Sequence, residues 1–124
     1  MIIEKELLFE GSLGESKLKA IFDSGASYSC INEDKARNLG IIETLRHSLK
    51  VETASKGFFI EIEKTIRLDF YLDDNHFSDE FIIIPNLSED VIIGTATMQK
   101  WRFKLDFEND KVIIDPKVTR LRLI

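Results

Sequence analysis

Apolar and polar residues alternate with a period of two between Phe58 and Leu72, and this restricts the fold of the 124-residue chain more than any other feature. Phe58, Ile60, Ile62, Ile66, Leu68, Phe70 and Leu72 share one parity, while Glu61, Glu63, Arg67, Asp69 and Tyr71 share the other. Successive side chains of an extended backbone point to opposite faces, so the run predicts a long strand with one apolar and one wet face. The same period recurs earlier. Ile3, Leu7 and Phe9 predict an opening strand that turns at Gly11-Ser12-Leu13-Gly14, and Leu18, Ala20 and Phe22 predict a second.

Further strands are expected over residues 28–31, 48–53 and 77–84, the last entered by the turn Asp73-Asp74-Asn75 and broken by Pro85-Asn86. The apolar run Val91-Ile92-Ile93-Gly94 reads as a strand buried on both faces. Only two short helices fit. Asn32 is a natural N-cap for one over residues 33–38, with Gly40 as its stop, and the other covers residues 95–101. A hairpin over 103–107 and 112–114 follows, with Trp101, Phe103 and Phe107 expected in the core. In the tail Leu121 and Leu123 alternate with Arg120 and Arg122, and such an apolar edge strand predicts a partner. The expectation is an all-β fold with one or two short helices, forming one domain over residues 1–124.

Charge excludes several function classes. A net charge of −5 argues against nucleic acid and anionic membranes as partners, because both need clustered Lys and Arg, and Arg120-Leu121-Arg122 is too small a cluster. No apolar run approaches a membrane span, and Met1-Ile2-Ile3 leads at once into Glu4, Lys5 and Glu6 rather than into a signal peptide. The single cysteine, Cys30, forms no internal disulfide, which suits a reducing cytoplasm. It reads as a small buried hydrophobe. His47 and His76 stand in no catalytic or metal-ligating spacing, so neither a metal nor another cofactor is expected.

One tetrapeptide carries chemistry. Asp23-Ser24-Gly25-Ala26 follows the apolar Ala20-Ile21-Phe22 and precedes Cys30-Ile31, which lifts a carboxylate from the end of a buried strand onto a tight turn. Gly25 lets the backbone approach a ligand, Ser24 and Ser27 supply hydroxyls, and Ala26 takes little space. A turn-forming Asp in a small β domain has the same local signature.

Three features occur in order: the Asp-Ser-Gly-Ala turn after an apolar strand, a hairpin with a small polar tip about thirty residues on, and Ile92-Ile93-Gly94 leading into a short helix. Together they resemble the retropepsin-like aspartic proteases over nearly the whole chain. The resemblance implies a closed, barrel-like β fold with bent hairpins and a homodimer in which each subunit gives one Asp-Thr/Ser-Gly loop to a shared active site. The absence of a second such triplet here agrees with that. Hydrolysis of an amide needs one carboxylate as base and one carboxylic acid as proton donor, and a single Asp23 cannot be both.

The family pattern implies that Asp23 is the catalytic carboxylate and that Ser24 hydrogen-bonds across the two-fold axis. Gly25, with Ala26 and Ser27, would support the loop and bind the backbone of an extended peptide or protein substrate. Ala54, Ser55, Lys56 and Gly57 would form a flap, with Gly57 as hinge, and Ile92, Ile93 and Gly94 would pack beneath the loop. Ile31, Phe58 and Ile92 are candidates for an apolar substrate pocket.

The retroviral branch carries an acidic residue two places after the motif glycine and an Arg after the later glycine. Here these positions hold Ser27 and Thr95. Both partners of one ion pair are replaced together, leaving no unpaired charge, which argues against a retroviral-type interface more than against catalysis. The alternative is a catalytically inactive dimeric module of the same fold that binds peptides or serves assembly.

Overall fold

A computed structural model describes residues 2–53 and 57–118. Ala54, Ser55 and Lys56 of the expected flap tip, and all of the tail beyond Val118, lie outside the described residues. Strands β1 (Ile2–Glu10) and β2 (Glu15–Asp23) form an antiparallel hairpin that ends with Ile2 opposite Asp23. After β3 (Cys30–Asn32) comes the one-turn helix α1 (Glu33–Ala36), then β4 (Ile42–Glu52), β5 (Phe59–Leu72) and β6 (Asn75–Ile84). Strand β7 (Val91–Ile93) runs into α2 (Thr95–Trp101), and β8 (Lys104–Asp106) pairs with β9 (Lys111–Ile113) as a separate ribbon.

The main sheet has the order β1-β2-β7-β3-β6-β5-β4, and a further pairing of β1 with β5 closes six of these strands into a barrel, with β4 attached outside the ring. Closure explains the burial of Leu7, Phe9, Leu18, Ala20, Phe22, Leu68 and Phe70, because inward positions of a closed sheet face one another with no solvent between. The centre is aromatic. Phe70 lies 5.7 Å from Phe9 and 5.5 Å from Phe77, and Phe103 meets Phe77 edge-on at 4.7 Å. Trp101 and Phe103 are buried, while Phe107 packs half-buried against the same core.

The long alternating run serves two cores in succession. Ile66, Leu68, Phe70 and Leu72 enter the barrel, whereas Ile62 and the half-buried Ile60 join Cys30, Val51, Ile82, Ile84, Leu87 and Ile92 in a second cluster outside it. At its other end β5 passes into β6 through Asp73 and Asp74, both with positive φ (50° and 64°). Two left-handed residues match the right-handed twist of the paired strands, and Asp tolerates that region better than most.

Several local expectations are corrected. The third strand begins at Cys30 rather than Tyr28, which lies 56% exposed in the preceding loop. Helix α1 stops at Ala36, short of residue 38. Strand β4 starts at Ile42, six residues earlier than expected, and its register against β5 shifts between Thr44 and Leu49. Ile92 is half-buried and faces the second cluster, so only Val91 and Ile93 of β7 enter the barrel. Ile31 is fully buried in the barrel core and cannot line a substrate pocket, while Phe58 is 68% exposed.

Candidate functional site

Asp23 ends β2 because the strand's last pairing, with Ile2, leaves the chain free to turn at Ser24-Gly25. The turn is closed twice. Ala26 N–H donates to the Asp23 carbonyl (3.1 Å), and Gly25 N–H donates to Asp23 Oδ1 (2.8 Å). The second bond is an Asx-turn, in which an Asp side chain imitates the backbone and fixes its own rotamer. Ser24, Gly25 and Ser27 are exposed, and Asp23 and Ala26 are intermediate.

The far side of the loop is fastened to the start of α2. Thr95 N–H donates to the Ala26 carbonyl (2.8 Å) and Ala96 N–H to the Ser27 carbonyl (3.1 Å), so the helix's otherwise orphaned first amides are satisfied by the loop itself. A side chain at Gly94 would bring its Cβ within 2.6 Å of the Tyr28 carbonyl carbon and 2.7 Å of its oxygen. Only glycine admits so close a backbone crossing. Gly94 and the loop are therefore in direct contact, while Ile93 pairs with Phe22 and Ile92 with Ile21 and Cys30.

Beside the loop lies a groove of about 440 Å³. Gly25, Ala26, Ser27 and Tyr28 form one wall, Val51, Glu52 and Thr53 of the β4 side form the other, and Cys30, Ile82 and Ile84 line it between them. Burial, reinforced by the charge of Glu89 and only partly opposed by a hydrogen bond with the Ile92 backbone, pushes the Cys30 thiol up to about 11. Cys30 is thus a neutral apolar lining group. Gly57 sits at the far end of the hairpin with φ of 84° and open space around it.

The groove residues Val51, Ile82 and Ile84 were missed from sequence. A signal existed, since Phe81-Ile82-Ile83-Ile84 is apolar on both faces and such a strand must bury both. A second hollow, about 500 Å³ and mainly apolar, runs from Ser24 and Thr95 past Met98 and Phe103 to Leu105 and Phe107. A third hollow, about 790 Å³ and so larger than the groove, is lined by charged groups such as Glu10, Arg67, Asp69 and Lys100. It shares no residue with the turn or the groove, so size does not mark the site here.

Among the described residues no group of three or more His, Cys, Asp or Glu is placed to hold a metal ion, and no helix is long and apolar enough to cross a membrane.

Comparison with known proteins agrees with this arrangement. The retroviral protease-like domain of Ddi1 from Leishmania major superposes with a TM-score of 0.71 at 21% identity, covering 94% of this chain and 90% of that one. The EIAV protease complexed with the inhibitor HBY-793 superposes with a TM-score of 0.53 at 17% identity, covering 86% and 94%. These likenesses establish the retropepsin fold. At the level of sequence, residues 11–120 match the retroviral aspartyl protease family, which takes in the Asp-Ser-Gly turn, the groove and α2 together. The chain belongs to the retroviral aspartyl protease family.

Proposed function

We propose that the protein is an aspartic endopeptidase that works as a homodimer, with residues 1–124 acting as one domain and Asp23 of each subunit forming half of the active site. The observation that carries this reading is the held turn. Asp23 is fixed by its own Asx bond on a loop that is anchored to a helix and whose next residues, Gly25 to Tyr28, wall a groove with an apolar floor of Cys30, Ile82 and Ile84.

Two such carboxylates brought about 3 Å apart cannot both ionise, so they share one proton. The ionised member takes a proton from water as the water oxygen bonds to the scissile carbonyl carbon, and the protonated member gives its proton to the carbonyl oxygen. The resulting gem-diol collapses when the carboxyl group that took the water's proton gives it to the amide nitrogen. The other carboxylate takes a hydroxyl proton as the C=O re-forms and the C–N bond breaks, which returns the pair to one shared proton. Ser24 would brace the paired loops across the axis, and Gly25, Ala26 and Ser27 would hold the substrate backbone. Residues 54–57 would close over it. Cys30, Val51, Ile82 and Ile84 favour an extended peptide with an apolar side chain at this position. A cytoplasmic location belongs to the same proposal and rests on the lone thiol.

Ser27 and Thr95, in place of the retroviral ion pair, favour one second reading, a dimer that binds peptide strands or serves assembly without cleaving. A peptide library separates the two. Cleavage by the wild-type chain that is lost in Asp23→Asn, together with a cross-link between two copies near residue 23, supports the protease; binding without cleavage supports the module.

A further inference from the structure

A buried hydrogen-bond chain outside the groove connects the β7-α2 corner to a carboxylate on β6. Gly94 N–H donates to Ser29 Oγ (3.0 Å), Ser29 Oγ lies 2.6 Å from Thr97 Oγ1, and Thr97 Oγ1 donates to Asp79 Oδ2 (2.7 Å). Ser29 and Thr97 are 3% and 1% exposed, so the bonds of Ser29 to Gly94 and Thr97 are shielded from water, while the Asp79 end of the chain is part-buried.

The direction of the middle bond follows from proton counting. A hydroxyl has one proton, and that of Thr97 is committed to Asp79. Ser29 must therefore donate to Thr97, which leaves its lone pairs for the Gly94 amide. Every proton in the chain points toward Asp79, and each bond polarises the next. Asp79 is held in turn by the Glu80 amide on Oδ1 (2.8 Å) and by Lys100 Nζ at 3.8 Å. Ser29 ends the loop that Asp23 begins, and its carbonyl accepts from Ile82 N–H (3.0 Å).

We propose that Asp79 is a positioning residue which, acting through Thr97 and Ser29, fixes the far end of the Asp23 loop against α2. Ser27 and Thr95 supply no charge for this junction, and the chain ending in Asp79 adds a side-chain link between loop and helix to the two backbone bonds from Thr95 and Ala96. The proposal rests on the reading of Asp23 as catalytic, but its structural half is testable without that reading.

The test compares wild type with Thr97→Val, which keeps the shape and removes the hydroxyl, and Thr97→Ser, which restores the hydroxyl. Asp79→Leu and Asp79→Asn form a second pair, since the Asn amide oxygen still accepts. Amide hydrogen exchange of residues 24–29 should quicken at least about tenfold in Thr97→Val and Asp79→Leu and return toward wild type in the conservative variants. In peptide cleavage the breaking variants should lose about 10- to 100-fold in kcat with KM changed little, because a loop misplaced by a fraction of an ångström misaligns the attack. Exchange that is the same in all variants overturns the proposal, as does a kcat loss that the conservative variants do not rescue. If wild type cleaves nothing and the exchange pattern still holds, the positioning chain stands and the protease reading fails.

Discussion

The Thr95 amide donates to the Ala26 carbonyl at 2.8 Å, which joins the loop that begins at Asp23 directly to the first turn of α2. Gly94, immediately before Thr95, makes this possible by letting two backbones cross. A Gly94→Ala substitution tests the junction. Its Cβ would meet Tyr28 backbone, which has no side-chain freedom with which to yield, so destabilisation of about 1–3 kcal/mol is expected. Peptide cleavage should fall by about 10²-fold even where the protein remains folded. Urea denaturation and steady-state kinetics measure the two effects, and wild-type values in both would show that the loop and helix are not locked.

Asp23→Asn should separate chemistry from structure. The Asn amide oxygen can accept from Gly25 N–H as Oδ1 does now, so the Asx-turn and melting temperature should persist. An amide cannot act as the base, and cleavage should drop by between about 10²- and 10⁴-fold. Undiminished cleavage by this variant would remove Asp23 from the mechanism.

Asn32 joins three segments. Its Oδ1 accepts from Asp34 N–H (2.8 Å) and Lys35 N–H (3.3 Å) to cap α1, and its Nδ2 donates to the Leu87 carbonyl (2.7 Å). Asn32→Ala loses a cap worth about 1–2 kcal/mol and a further bond worth about 1 kcal/mol, so chemical denaturation should register about 2–3 kcal/mol. Asn32→Asp keeps the cap but sets a carboxylate oxygen against the Leu87 carbonyl, so it should recover no more than the cap's share.

The Cys30 thiol, raised from 9.0 to about 11, makes stability depend on pH at the alkaline end. The folded pKa lies above the unfolded one, so the contribution is fully present below pH 9 and is lost as pH rises through 11. Its size is on the order of 3 kcal/mol. The loss on going from pH 8 to pH 11 should be smaller by that amount in Cys30→Ala than in wild type, and alkylation of the native protein at neutral pH should be slow. Equal alkaline losses in both proteins would contradict the burial argument.

Legibility in the sequence followed the range of the interactions. Strand β5 was readable because Ile66, Leu68, Phe70 and Leu72 all face one core, and α2 because Gly94 ends an apolar run immediately before Thr95. The first half of β4 was not readable, since most of residues 42–47 are exposed and the register shift interrupts their alternation. Tyr28 misled for the opposite reason. It favours strands, but the loop's attachment to α2 holds it outside the ladder. The carboxylate of the candidate site was visible at Asp23 because strand, turn and glycine are contiguous. The chain from Ser29 to Thr97 and Asp79 was invisible, because its members are ordinary polar residues from three separate segments and no local period connects them.

The parallel pairing of β2 with β7 also decides when during folding the Asp23 turn acquires its shape. Phe22 and Ile93 come together across about 70 residues of intervening chain, and such long closures cost entropy that local hairpins such as β1-β2 and β5-β6 do not. A chain still emerging from the ribosome displays Asp23 early, but lacks the corner at Gly94 and the helix behind it until synthesis has passed Trp101. The turn therefore gains its backing only when the barrel closes, and a partly made chain carries the aspartate without the helix and corner behind it.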